Sequence, residues 1–318
     1  MTSLRFMSWN WNCFSDGRNH RKAELIRRLA PDVVALQEVD KPGYDDIERL
    51  LSACTPVMPS VWDDPEESVD LKGNRLPSTA LLISEELTFE LADAPALDVW
   101  KTAPLRAGLG FGDREDDATT PEARSIVGAH VHVGGTSVFC VSAHPPHAAG
   151  RGDERVKRIL RKRRTYEVLR EYVRGRNVVL GMDANAWIDP EPEEVGQFDV
   201  ALLPLADRTR DLPELDQTDI GLFRENGFAP DERDEALPRD ALRIWLDDDE
   251  SRRDAIVARR PFGPWAVTYN RSSNFARPDR RDLVMVSKDV KVLEVEHSYE
   301  DSLAAGSDHS YVLCDLEI

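Results

Sequence analysis

The segment Ser307-Asp308-His309-Ser310 runs directly into the apolar stretch Tyr311-Val312-Leu313-Cys314. An aspartate and a histidine on a loop feeding a buried strand put a metal-affine carboxylate beside a proton-transfer group, a combination suited to phosphoester hydrolysis. Three other segments share the arrangement: Ser8-Trp9-Asn10-Trp11-Asn12, Leu36-Gln37-Glu38-Val39 and Gly181-Met182-Asp183-Ala184-Asn185. In each, an apolar run stops at acids or amides that suit a metal ion or a phosphate. Strand ends are where folds built from such runs place their chemistry. His144 follows the run Val138-Phe139-Cys140-Val141, and Asp282 precedes Leu283-Val284-Met285-Val286.

The elements that must position these residues can be read from hydrophobic periodicity. A strand is expected over 4–9, an amphipathic helix over 20–29 and a strand over 33–37, with Pro31-Asp32 marking the join. A helix near 44–51 follows, then short strands around 55–61, 79–83, 87–92, 125–133 and 137–142, separated by Gly, Pro and Asp clusters. Many short strands and few helices indicate stacked sheets with helices outside. Residues 153–174 form the longest expected helix, with Val156, Ile159, Leu160, Tyr166, Leu169 and Val173 on one stripe. Arg155, Lys157, Arg158, Arg161, Lys162, Arg163 and Arg164 crowd its first half and read as an outer basic face. That face is either a solvated surface or a phosphate-attracting rim beside His144. Between residues 186 and 280 the pattern loosens into acidic, proline-rich sequence with one helical candidate over 239–257.

Composition sets outer bounds. The 318 residues, 41% hydrophobic, suffice for one large α/β domain with a substantial core. The four cysteines (Cys13, Cys54, Cys140 and Cys314) have no CxxC spacing, and two lie in apolar runs, so buried free thiols are expected rather than disulfides or a zinc site. Neither a secretory leader nor a membrane-spanning apolar run is evident, and the expected location is cytoplasmic. The formal charge of −18 is the wrong sign for a broad grip on nucleic acid backbone. A bound divalent cation and a local basic patch would still serve one scissile phosphate.

Taken in order from Asn10 to His309, these segments resemble the endonuclease/exonuclease/phosphatase superfamily, the DNase I-like hydrolases. The resemblance implies a four-layered α/β sandwich: two mainly antiparallel β-sheets packed face to face with helices outside. It implies a single domain over 1–318, with 186–280 either a specificity insert or a tolerated surface insertion. Glu38 matches the metal ligand of the family's Leu-Gln-Glu motif and would hold Mg2+ or Mn2+, with Asp308 completing the shell directly or through water. Asn12 stands near that shell where many relatives carry Asp, which removes a carboxylate. Asn10 matches an amide that orients metal-bound water or a phosphate oxygen. Arg124 sits where relatives often carry a phosphate-contacting arginine, although a structural ion pair is an equal reading.

Asp183 and Asn185 match the family's Gly-Asp-x-Asn motif, in which the Asp positions or deprotonates water and the Asn stabilises the phosphorane. Met182 stands here where the family has Gly directly before Asp. His309 would meet the phosphate oxygen that gains charge, and Asp282 would fix its tautomer. His144 matches the second histidine of the DNase I, sphingomyelinase and inositol-phosphatase branches, whereas exonuclease III-like relatives carry Tyr there. His147 has no match.

The function implied is a Mg2+-dependent phosphoester hydrolase cleaving nucleic acid by in-line water attack. The alternatives are a hydrolase of a small phosphodiester or phosphomonoester, such as a phospholipid headgroup or a sugar or inositol phosphate, and a non-catalytic binding protein on the same fold. Neither a membrane span nor an obligate protein partner is expected.

Overall fold

The computed structural model describes residues 2–12, 18–59, 77–93, 125–146, 152–185, 234–259, 266–269 and 280–318. One six-stranded sheet contains β1 (Ser3–Asn10), β2 (Val33–Val39), β3 (Cys54–Val57), β4 (Ser78–Ser84), β11 (Lys291–Ser298) and β12 (Tyr311–Glu317), in the order β11-β12-β1-β2-β4-β3. The second contains β5 (Thr88–Leu91), β6 (Ile126–Val133), β7 (Thr136–Ala143), β8 (Val178–Asp183), β9 (Arg239–Asp240) and β10 (Asp282–Val286), in the order β5-β6-β7-β8-β10-β9. Each sheet holds one parallel pair, β1 with β2 and β7 with β8, and its other pairings are antiparallel. The chain crosses between the parallel strands through α1 (Asn19–Leu29) and α3 (Gly152–Val173), as parallel pairing requires.

Side-chain alternation assigns each strand residue to a layer. In β1, Leu4 and Phe6 join the core between the sheets, while Met7 and Trp9 join the cluster beneath α1, α2 (Lys41–Leu50) and α6 (Tyr299–Ala305). In β8, Val179 faces the inter-sheet core, while Leu180 and Met182 pack with Tyr166, Leu169 and Val173 of α3. The result is four layers: helices, sheet, sheet, helix. Continued along the strands, the same parity sends Asn10 of β1 and Asp183 of β8 into the inter-sheet gap from opposite sides. Met182 is accommodated because its position faces the helix.

Small residues let the sheets close where this happens. A Cβ placed on Gly181 would lie 2.5 Å from Ala35 Cβ and 2.9 Å from Ser8 Cβ, inside van der Waals contact. The glycine two residues before Asp183 is therefore required by the approach of β1 and β2.

Several sequence expectations need correction. The helix expected over 239–257 is instead the two-residue β9, then α4 (Ala241–Asp247) and α5 (Glu250–Arg259). Three consecutive acids, Asp247 to Asp249, oppose the dipole at the end of α4, and Asp249 accepts from Ser251 N at 3.0 Å to start the next helix. The strand expected over 55–61 is Cys54–Val57. β11 has no period-two signature because a bulge between Val292 and Glu294 interrupts it. Lys162 is not part of an outer basic face: it is fully buried beneath α3. Arg155, Lys157, Arg158 and Arg161 have side chains outside the described residues, as are Arg124, His147 and Cys13. Cys140 and Cys314 are free and buried, and Cys54 is free and half-buried. No described helix is long and apolar enough to cross a membrane.

Gly181→Ala should destabilise the protein by roughly 1–3 kcal/mol through overpacking between the sheets. The check is the urea midpoint at constant m-value, and an unchanged midpoint would show that the sheets are not in forced contact there.

Candidate active site

Asp183 ends β8 and Asn10 ends β1, and the two meet across the sheets with Asn10 Nδ2 donating to Asp183 Oδ2 at 2.9 Å. The other oxygen, Oδ1, accepts from Asn185 N at 2.8 Å, an Asx turn that folds the loop back on the carboxylate. Two imidazoles flank the same carboxylate, with His144 Nε2 at 3.5 Å and His309 Nδ1 at 3.8 Å from Oδ2. Asp183 is almost wholly buried.

Asp282 begins β10 opposite Asp183 in register, and its carboxylate lies 2.9 and 3.1 Å from His309 Nδ1. Burial, the largest single influence, pulls His309 down, but the charges of Asp282, Asp183 and Asp308 outweigh it and raise the imidazole to about 10. Burial pushes Asp282 up to about 6, partly offset by His309. The carboxylates around His309 thus favour its imidazolium form, which Asp282 is placed to hold. The backbone around the pair is fixed by Thr268, whose Oγ1 accepts from Asp282 N at 3.0 Å and Arg281 N at 2.8 Å. Trp9 Nε1 donates to His309 O at 3.0 Å, and Tyr269 lays its ring 4.7 Å from the imidazole.

Glu38 reaches the site through a backbone irregularity. The β2–β4 register slips between Leu36 and Val39, and Glu38 takes a left-handed φ of 53°. Without the bulge, alternation would put Glu38 on the helix side with Leu36. With it, the carboxylate comes to 3.8 Å from His144 Nε2, its one ion-pair contact among the described residues. Burial lowers His144, yet the Asp183 and Glu38 carboxylates together raise it. Asn185 Nδ2 lies 2.9 Å from His144 Nε2 and donates to Pro145 O at 2.9 Å, leaving Asn185 Oδ1 buried with no partner. A shallow cavity of about 100 Å³ opens here, lined in part by Glu38, Ser78, Thr79, Ser125 and His144.

Asn12 and Asp308 adjoin this group. Asn12 N donates to Asn10 Oδ1 at 2.9 Å, and Asn12 Nδ2 donates to Asp308 Oδ1 at 2.6 Å. Asn10, His144, Asp183, Asn185, Asp282 and His309 thus form one connected network, with Glu38 tied in through His144 and Asp308 through Asn12. Arg124 lies outside the described residues. Thr268, Tyr269 and Trp9 were not anticipated. The first two fall in the patternless stretch before β10, and Trp9 reads from sequence simply as core.

Two donor sets could hold a cation. Asp183, Asp282 and His309 bring ligand atoms within 4.8 Å of one another. His309 Nδ1 is already within hydrogen-bond distance of the Asp282 carboxylate in that cluster, and a metal there would have to break that contact. Glu38 fits better: a half-buried carboxylate on a left-handed backbone, without a close donor among the described residues, is the oxygen chemistry a hard divalent cation takes.

Two sheets in this order, with carboxylates and imidazoles converging at the ends of their strands, define a phosphoester hydrolase of the DNase I-like fold. The chain belongs to the Endonuclease/Exonuclease/phosphatase family, whose profile matches residues 7–309. The family hydrolyses phosphoesters, usually with a divalent metal. No curated protein is similar enough in sequence to count as a relative. Among solved structures, D. rerio TDP2 complexed with single-strand DNA product is similar at 12% identity, with a TM-score of 0.56 over 100% of both chains. An AP endonuclease from Archaeoglobus fulgidus is similar at 14% identity and a TM-score of 0.57, over 99% of this chain and 100% of that one. The 3' phosphatase NExo from Neisseria, bound to a product DNA hairpin, is similar at 14% identity and a TM-score of 0.55 over the same shares. At these identities the likeness establishes the fold.

In the metal-free protein His309 should carry protons on both ring nitrogens at neutral pH. Long-range ¹H–¹⁵N spectra should show imidazolium shifts for this residue, and a neutral tautomer would contradict the ion pair with Asp282.

Proposed function

We propose that the chain is a Mg2+-dependent phosphodiesterase that cleaves nucleic acid by in-line attack of water. The carrying observation is the environment of Asp183, a buried carboxylate held by one amide on each side and flanked by two imidazoles. In this reading Asp183 orients the attacking water and takes its proton as the water oxygen bonds to phosphorus and the ester P–O bond breaks. The His309 imidazolium, held by Asp282, donates to a phosphate oxygen whose negative charge grows in the transition state. Asn10 and Asn185 present amides to the remaining phosphate oxygens, and His144 adds a second imidazole on the Glu38 side. Glu38, with Asp308 and Asn12, would hold Mg2+, which supplies charge neutralisation at the phosphate. We read 1–318 as one domain, with 186–280 as the segment that selects substrate.

Nucleic acid is favoured because TDP2 and NExo, which share the fold, were solved with DNA products. The net charge of −18 and the burial of Lys162 favour the second reading, a small phosphodiester or phosphomonoester.

Hydrolysis of bis-p-nitrophenyl phosphate should require Mg2+ or Mn2+ and stop on chelation. Glu38→Ala should lower the rate on the order of 10²-fold or more and abolish the calorimetric signal of Mg2+ binding. Unchanged Mg2+ affinity in that variant would refute the ligand assignment.

Substrates separate by their salt response. Cleavage that tracks a polyanion should weaken with salt at a log-log slope of roughly −0.7 to −0.9 per phosphate contacted. A flat profile on plasmid DNA and RNA, with efficient turnover of sphingomyelin or inositol phosphates, would select the small-substrate reading.

A further inference from the structure

Two lysines lie fully buried beneath the loops that carry the site, one on each side of the sandwich. Lys22, on α1, donates to the carbonyls of Trp11 and Asn12, the latter at 3.0 Å, with its ammonium 5.0 Å from the Trp11 ring centroid. Lys162, on α3, donates to the carbonyl of Asn185 at 2.8 Å, with its ammonium 5.9 Å from the Tyr166 ring centroid. Tyr166 Oη donates to the neighbouring Ala184 carbonyl at 2.7 Å. The two asparagines hold left-handed backbones, with φ of 49° at Asn12 and 48° at Asn185.

A buried ammonium is costly unless its donors are met, and neither lysine serves packing that an aliphatic side chain could not. What each does is tie a strained asparagine to a helix that is itself locked by its hydrophobic cluster. We propose that Lys22 and Lys162 are paired positioning residues, each holding one active-site loop from behind in the left-handed turn that aims its amide. The two clamps divide the work. The Asn12 loop leads to Asp308 through the 2.6 Å hydrogen bond, so Lys22 acts on the metal side. The Asn185 loop folds back on Asp183, so Lys162 acts on the water-activating side. A lysine suits both positions because its compact charge reaches a loop carbonyl, two in the case of Lys22, and adds positive potential behind loops that on the proposed function face a phosphate.

The inference rests on the functional reading above, and the experiment separates the two. Mg2+ alone is titrated by calorimetry into wild type, Lys22→Met, Lys162→Met and Glu38→Ala, and turnover of bis-p-nitrophenyl phosphate is measured at saturating Mg2+. Lys22→Met should weaken Mg2+ binding about tenfold and largely recover turnover at saturating metal. Lys162→Met should leave Mg2+ affinity unchanged and lower kcat by about 10- to 100-fold. A general loss of structure would instead move both quantities together in both variants, and that result, or no effect in either, overturns the proposal.

If Glu38→Ala retains Mg2+ affinity, the metal assignment fails, and the clamps are judged on the kcat of Lys162→Met and on one further measurement. Should a methionine variant not fold, that same measurement decides with wild-type protein. The ¹⁵N spectrum of the lysine ammonium groups should show Lys22 and Lys162 protected from solvent exchange, and rapid exchange at either overturns its clamp.

Discussion

The hydrogen bond from Asn10 to Asp183 joins the last residue of one strand to the last residue of another in the opposite sheet. Stacked sheets usually lie about 10 Å apart, and a direct contact between short polar side chains needs a closer approach. Ser8, Ala35 and Gly181 provide it by leaving almost no side-chain volume in the gap. Four further site groups are set directly against this contact. Asn12 is anchored to Asn10, Asn185 to Asp183, and both histidines sit against the same carboxylate. Filling the gap would separate the two halves of the network even though no catalytic side chain had changed.

The charges assembled there are unequal. Glu38, Asp183, Asp282 and Asp308 bring four carboxylates to a region where His144 and His309 stand among them and the ammonium groups of Lys22 and Lys162 lie behind the loops. The raised values of both imidazoles express that excess. Pairing consumes the positive charge of His309 within the Asp282–Asp183 cluster, so the Glu38 side retains its negative potential. On the proposed function, a divalent cation would be the counter-charge that lets a phosphate approach so many acids.

Much of this was legible in the sequence because it follows from alternation. The strand ends, their apolar runs and the residues that stop them could be read directly, and the structure brings Asn10, Glu38, His144, Asp183, Asn185, Asp282 and His309 together. The rest depends on exceptions to periodicity. Glu38 is aimed by a bulge that no pattern announces, and β11 is hidden by another. Lys162 sits among six other basic residues and reads as solvated, whereas its rotation about α3 places it against Asn185. Thr268 lies in a stretch without pattern, and its role appears only once β10 is paired beside it.

Asn12, Glu38 and Asn185 share a property that bears on how such a protein can change. Three of the four non-glycine residues with positive φ among the described residues belong to the site, and the fourth, Ala30, closes a helix. An ordinary L side chain such as that of Glu38 costs about 1 kcal/mol or more in this region, asparagine less, and glycine avoids the cost. Selection for stability alone would therefore draw these positions toward glycine, and the variants it favoured would lack the side chains that the proposed function needs. If the proposed roles of these residues hold, robustness and activity are opposed at three points of the backbone, and a thermally improved lineage of this protein would find its gains elsewhere.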